Sequence, residues 1–191
     1  ARAGMDSPGL LAKAAQVGGW EALSWKRWAK IKDKAQPETE PVWVSDYLVD
    51  LAVKWGKENT GIIWYMHDAF GARVAQKGGF PLCGGGSNTG IENEKGNRTL
   101  VASIEAHGTG KQLHMFSRAL VTTPPGSNEA WEQLLGRLHR PGQTADEVNF
   151  DVYVHTPELH EAFEGAMNEA PFVASVLNVS PRLLYANVVK P

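Results

Sequence analysis

The chain has very little cysteine, since Cys83 is the single one among 191 residues. One thiol excludes an internal disulfide framework and any zinc site built from several cysteines, and it favours a reducing compartment. No apolar run approaches the roughly 20 residues that a membrane-spanning helix requires. The first residues also lack the basic-then-apolar order of a signal peptide. These absences predict a cytoplasmic protein with no membrane partner.

Excess positive charge is missing as well. The formal net charge is −2 and the isoelectric point is near 6.3, whereas a stand-alone nucleic-acid binder is expected to be strongly basic. Any contact with nucleic acid must therefore be confined to a small part of the surface.

The motifs that hold ATP and magnesium are also absent. The sequence has neither a phosphate loop of the Gly-Lys-Ser/Thr type nor an Asp-Glu-x-His motif. The glycine-rich segment 84–90 is not a phosphate loop, because no Gly-Lys-Ser/Thr follows it at the required spacing. The six histidines offer no ligand pair with a nearby carboxylate on a predicted helix, so we expect no metal site. Cys83 ends an apolar run and is interpreted as a core residue.

The length suits one α/β domain with additional segments. We predict a helical segment and connector over residues 1–40, the domain over 41–160, and a C-terminal extension over 161–191 that packs on the domain. A helix is expected to begin at the N-cap Ser45. The side chains that it is expected to turn toward the core are those of Tyr47, Leu48, Leu51, Ala52 and Trp55.

Short apolar runs alternate with helical patterns through the domain. This alternation is typical of βαβ units and predicts a mainly parallel sheet flanked by helices. The predicted strands are 61–66, 80–83, 100–105, 119–123 and 149–155, and the predicted helices between them include 70–76 and 128–139. Ligands of such sheets gather at the carboxyl ends of the strands.

Residues 20–34 interleave tryptophan with lysine and arginine. Aromatic rings can stack on bases while basic side chains hold phosphates, so this segment is a candidate nucleic-acid contact. The alternative, which we favour, is an amphipathic helix that packs Trp25, Trp28 and Ile31 on the domain and leaves its lysines in water.

The strongest functional pattern consists of Gln133, Gly136, Arg137, Arg140 and Gln143. On a helix, two arginines three residues apart share one face and can be presented together to a phosphate chain. The guanidinium group has planar, forked donors that match phosphate oxygens. An arginine pair on its own is more often a solvated helix face, but here the surrounding residue types and their spacing make the pattern specific.

This pattern resembles motif VI of superfamily-two helicases, and its His-Arg-x-Gly-Gln ending is most similar to the Swi/Snf branch of chromatin-remodelling ATPases and related phage and bacterial ATPases. The resemblance implies that Arg137 and Arg140 are arginine fingers for the γ-phosphate of ATP. It also implies that Gln133, Gly136 and Gln143 belong to the nucleotide site.

A second block, residues 101–113, resembles motif V of the same family, which contacts both nucleotide and nucleic acid. Its Gly-Thr-Gly follows a predicted strand, where glycines let the backbone approach a phosphate closely. The resemblance implies that Gly108 and Gly110 contact the nucleotide. The residues implied to contact the nucleic-acid backbone, in this block and in an upstream glycine turn, are Gly86, Ser87, Ser103, His107, Thr109 and Lys111. The chain departs from the Swi/Snf pattern at Glu105, His107 and Lys111, where small or apolar residues are common.

The resemblance, which covers roughly residues 45–157, implies a RecA-like three-layer domain from the C-terminal half of an ATP-dependent DNA helicase or translocase. An N-terminal lobe of the same protein would bind most of the ATP and Mg²⁺, and the nucleic acid would be duplex DNA rather than RNA. The chain alone is expected to lack appreciable ATPase activity. One alternative is a non-catalytic interaction module that keeps the fold. Another is an unrelated nucleotide-dependent enzyme such as a small kinase, against which the missing phosphate loop argues.

Overall fold

The computed structural model forms two compact units, Ala1–Val42 and Trp43–Pro191. The residues that it describes are 16, 20–31, 34, 40–85, 90–108, 110–186 and 188–189. In the first unit, helix α1 spans Trp20–Ile31. Trp25 and Trp28 are half-buried, and Ile31 is 54% exposed. Packing of this helix on the domain, which we favour, and a nucleic-acid contact by it both stay predictions.

Within the described residues, the second unit has a six-stranded sheet in the order β2-β3-β1-β4-β5-β6, and every neighbouring pair is parallel. The strands are β1 Ile62–Tyr65, β2 Leu82–Cys83, β3 Leu100–Ser103, β4 Arg118–Val121, β5 Asn149–Val152 and β6 Val188–Val189. The predicted parallel α/β sheet is confirmed. Strand β6 was not predicted, because two consecutive valines do not distinguish a short edge strand from a loop.

Helices cover both faces of the sheet, which gives three layers. They are α2 Tyr47–Glu58, α3 Asp68–Gly78, α4 Ile104–His107, α5 Asn128–Leu138 and α6 Pro157–Leu177, and short 3₁₀ turns occur at Ile91–Asn93 and Arg182–Leu184. Helix α6 runs through residue 160, and our predicted boundaries at residues 40 and 160 stay predictions. None of the helices in the described ranges has the length and apolar character needed to cross a bilayer.

Alternate residues of the strands point to opposite faces and build two cores. In the central strand β1, Ile62 and Trp64 belong to a core shared with Trp131 of α5 and Phe163 of α6. Its other residues, Ile63 and Tyr65, belong to a second core with residues of α2 and α3. All four residues of β1 are at most 1% exposed, which explains why its sequence is a continuous apolar run rather than an alternating one.

Helix α2 begins one residue later than the sequence suggested. The predicted N-cap Ser45 accepts a hydrogen bond from the Tyr47 amide at 3.1 Å, and Asp46 occupies the N-cap position. Tyr47 is 65% exposed, so the prediction that it faces the core is wrong, whereas Ala52 is buried as predicted. Val49 and Val53 are also buried. The predicted residues Leu48, Leu51 and Trp55 are partly buried and pack against the same core.

Candidate functional site

Helix α5 carries the first of the two predicted arginine fingers. The helix begins at the N-cap Ser127, whose hydroxyl accepts a hydrogen bond from the Ala130 amide at 3.3 Å. It ends at Leu138, with Arg137 in the last turn and Arg140 beyond the helix. The expectation that both arginines share one helical face is therefore wrong, because the backbone leaves the helix at His139 (φ −84°, ψ 81°).

Arg137 is half-buried, and two of the three backbone carbonyls that it contacts belong to the segment that follows β3. Its Nε donates to the carbonyl oxygens of Gly108 and Gln133, both at 3.0 Å, and its Nη1 donates to that of Lys111 at 2.9 Å. In return, the Leu113 amide donates to the Arg137 carbonyl at 3.0 Å. One residue therefore joins the two segments that the sequence had singled out separately.

Arg140 is exposed and reaches the same carbonyl group, with its Nη1 3.5 Å from the Lys111 oxygen. It also lines a cleft of about 690 Å³ beside the first residues of β5. Neither Arg137 nor Arg140 forms an ion pair with a carboxylate in the described part of the chain. The structure thus brings the two guanidinium groups together without neutralising them.

A third arginine, Arg182, lies beside this pair and was not predicted. Gly136 is buried, and a Cβ atom at that position would lie 3.6 Å from Cζ of Arg182. The helix face that Gly136 leaves open is therefore covered by the Arg182 guanidinium. Burial lowers the pKa of Arg137, and the positive charges of Arg140 and Arg182 lower it further.

The two predicted glutamines differ in their surroundings. Gln133 is partly exposed, and its side-chain nitrogen makes one long contact within the described residues, 3.4 Å to a carboxylate oxygen of Glu129. The Gln143 amide nitrogen donates to the carbonyls of Phe116 and Leu138 at 2.9 and 3.2 Å, and its oxygen accepts from the Ala145 amide at 3.0 Å. Gln143 thus stabilises the turn after α5, and a nucleotide contact by either glutamine stays a prediction.

The turn after β3 uses its polar groups internally. Ser103 ends β3 at the carboxyl edge of the sheet, and its hydroxyl caps the short helix α4 by accepting from the Ala106 amide at 3.3 Å. Lys111 pairs with Glu92. Gly110 has a φ of +75°, a backbone conformation that residues with a Cβ rarely adopt. The backbone conformation alone therefore explains why this position is a glycine.

His107 closes α4 and is only 7% exposed. Burial lowers its pKa, and nearby Lys111 acts in the same direction, while the Gly84 backbone and Glu92 act in the opposite direction. Its imidazole therefore favours the neutral form, which is a weaker phosphate ligand than imidazolium. The predicted contacts Gly86, Ser87 and Thr109 lie outside the described residues.

No family model and no curated protein matches the sequence of this chain. A solved structure, the crystal structure of the C-terminal part of the Fun30 ATPase domain, matches the fold with a TM-score of 0.50 at 17% sequence identity. The match covers 76% of this chain but only 54% of that one, so the chain spans about half the length of its structural neighbour. The all-parallel sheet between helix layers is thus a RecA-like fold, as predicted.

Proposed function

We propose that this chain is the C-terminal RecA-like lobe of an ATP-dependent DNA helicase or translocase, with Arg137 and Arg140 as its arginine fingers. An N-terminal lobe of the same protein would hold ATP and Mg²⁺. The observation that carries the proposal is the convergence of the two guanidinium groups on the Lys111 carbonyl, beside an open cleft and without a carboxylate partner in the described residues.

The two arginines are suited to different parts of the same task. Arg137 is held by three carbonyl groups, yet its Nη2 makes no hydrogen bond within the described part of the chain and stays available to a phosphate oxygen. Arg140 is exposed, and its guanidinium group makes a single long contact with the residues that the structure describes, so it can move toward a nucleotide when the lobes close. Forked donors placed on the γ-phosphate stabilise the charge that spreads over its oxygens during transfer.

Nucleic acid is proposed to contact the turn after β3 and the glycine-rich segment 84–90. Lys111 would supply charge, and the backbone amides around Gly86, Ser87 and Thr109 would supply donors to phosphate oxygens. Contacts of this kind do not depend on base sequence and weaken as salt is added. The similarity of the arginine pattern to the Swi/Snf branch favours duplex DNA, and the proposed setting is the cytoplasm of a bacterium or of a phage-infected cell.

Replacing Arg140 tests the proposal in the intact protein, because this side chain contributes little to folding. We expect Arg140→Ala to lower DNA-stimulated ATP turnover by a factor on the order of 10³ or more. The matched control is Arg98→Ala, which removes an exposed arginine whose one ion-pair partner within the described ranges is Glu94. Undiminished turnover in Arg140→Ala would instead favour the non-catalytic module.

The chain by itself is expected to hydrolyse no ATP above background, since the proposed site needs both lobes. Phosphate release assays on the purified chain, with and without duplex DNA, measure this directly. Turnover at the rate of the intact protein would contradict the proposal that ATP hydrolysis needs both lobes.

A further inference from the structure

The C-terminal turn places Arg182 against the helix that carries the finger Arg137. Glu132 of α5 fixes this turn through both carboxylate oxygens: Oε2 pairs with Nη1 of Arg182 at 3.2 Å, and Oε1 accepts from the Leu183 amide at 3.1 Å. Leu183 is completely buried beside α5. The position of Arg182 is therefore set by the burial of Leu183 and by the two contacts of the Glu132 carboxylate.

The three arginines at the end of α5 and in the C-terminal turn carry more positive charge than the carboxylates that pair with them neutralise. Arg137, Arg140 and Arg182 lie close enough for the latter two to affect the ionisation of the first. Among the described residues, Glu132 is the only carboxylate that forms an ion pair with any of the three. A cluster with two uncompensated cations attracts an anion, and its guanidinium groups are matched to phosphate geometry.

Arg140 and Arg182 line one cleft, the cavity of about 690 Å³ described above. Gln143 and Asn149 also line it, and the exposed ring of Tyr185 lies at its border. Two carboxylates of the connector, Asp146 and Glu147, line it as well, but both are exposed. Neither forms an ion pair with an arginine in the described ranges, so the cationic side of the cleft stays open to a ligand.

We propose that Arg140 and Arg182 form a binding site for a polyphosphate chain, so that the C-terminal segment is part of the nucleotide site. The inference rests on the proposed function for the identity of the natural ligand, a nucleoside triphosphate. It assigns to Arg182 a direct phosphate contact, made through the Nη2 side of its guanidinium, which Glu132 leaves free within the described residues.

The test measures binding of inorganic tripolyphosphate to this 191-residue chain by isothermal titration calorimetry at low ionic strength, where exposed charges are least screened. Arg182→Ala is expected to weaken the affinity about tenfold, the loss of one charge-assisted contact, and Arg182→Lys to restore part of it. Arg98→Ala is expected to leave the affinity unchanged, because it removes an exposed arginine elsewhere that, like Arg182, pairs with one carboxylate among the described residues.

Glu132→Gln separates a ligand contact from a merely structural role. Glutamine can still accept the Leu183 amide, but it no longer neutralises Arg182, so tripolyphosphate should bind as tightly as to the wild type or more tightly. Equal weakening by Glu132→Gln and Arg182→Ala would show that the turn only supports α5, and would overturn the proposal. Absence of binding to the wild-type chain, or an unchanged affinity in Arg182→Ala, would overturn it as well.

These outcomes are independent of the test of the proposed function. The polyphosphate measurement uses the chain alone, whereas the arginine-finger proposal fails on unchanged ATP turnover in Arg140→Ala of the intact protein. In that protein, Arg182→Ala is expected to raise the KM for ATP more than it lowers kcat, because it removes binding common to the ground and transition states.

Discussion

The turn after β3 and the end of α5 contact each other, yet they use their polar groups in opposite ways. In the turn, Ser103 caps a helix, His107 is buried and Lys111 pairs with Glu92. At the end of α5, Arg140 is exposed beside a cleft and has no carboxylate partner in the described part of the chain. The polar groups of the turn are thus engaged as a cap, buried or ion-paired, whereas the charge at the end of α5 remains available to a ligand.

Arg137 belongs to both regions, and replacing it should have the largest effect on stability. Arg137→Ala removes three hydrogen bonds from a charged donor to the carbonyls of Gly108, Gln133 and Lys111. We expect a loss of about 3 kcal/mol in the free energy of unfolding. Arg140→Ala should cost less than about 0.5 kcal/mol, as for most surface substitutions. Urea denaturation of the chain measures the free energy of unfolding of both variants. Equal losses would contradict the view that Arg137 supports the fold and Arg140 does not.

Gly108 and Gly136 were both predicted to belong to the nucleotide site, but replacing them by alanine should change the stability of the chain in opposite directions. A Cβ at Gly108 would lie 2.4 Å from the Ile104 carbonyl oxygen, whereas one at Gly136 would meet Arg182 at an ordinary 3.6 Å. Gly108→Ala is therefore expected to destabilise the chain by about 2 kcal/mol through overpacking. Gly136→Ala should stabilise α5 by up to about 1 kcal/mol, because alanine is the better helix former. Thermal unfolding distinguishes the two variants. A larger loss of stability for Gly136→Ala would contradict the view that only Gly108 lacks room for a Cβ.

The buried His107 predicts an acid sensitivity that arises in the turn. Its pKa is lowered in the folded chain, so the unfolded chain binds more protons and stability rises with pH between the two pKa values. The free energy of unfolding should therefore fall as the pH drops below the ordinary value near 6.5. His107→Gln should flatten this part of the profile, while His160→Gln, on an exposed part of α6, serves as the control. An unchanged slope in His107→Gln would place the acid sensitivity elsewhere.

The ion pair of Lys111 should matter least for folding. Its partner Glu92 is about half exposed, and ion pairs in water contribute little. Lys111→Ala is expected to change the free energy of unfolding by less than about 0.5 kcal/mol, but to weaken duplex DNA binding by the intact protein and reduce its salt dependence. An unaltered salt dependence would remove Lys111 from the proposed nucleic-acid contacts.

The sequence predicted the features that local patterns encode. Continuous apolar runs marked β1 and β3 because both are buried on two faces, and the apolar setting of Cys83 marked it as a core residue, 2% exposed. The spacing around Arg137 and Arg140 indicated a paired site, and the structure brings both to the Lys111 carbonyl.

Features that depend on tertiary contacts were missed. Arg182 lies far from α5 along the chain, and only its contact with Glu132 reveals its place. The end of α5 at Leu138 is stabilised by the Gln143 amide, five residues later, which no helix propensity indicates. Tyr47 matched the helical spacing of a core residue, but Val49 and Val53 occupy the buried face of α2.

The double attachment of Arg137 also has a mechanical consequence. Its side chain donates hydrogen bonds to the carbonyls of Gly108 and Lys111, and its own carbonyl accepts from the Leu113 amide. A displacement of the turn after β3 is therefore expected to move the end of α5 through the contacts of this residue.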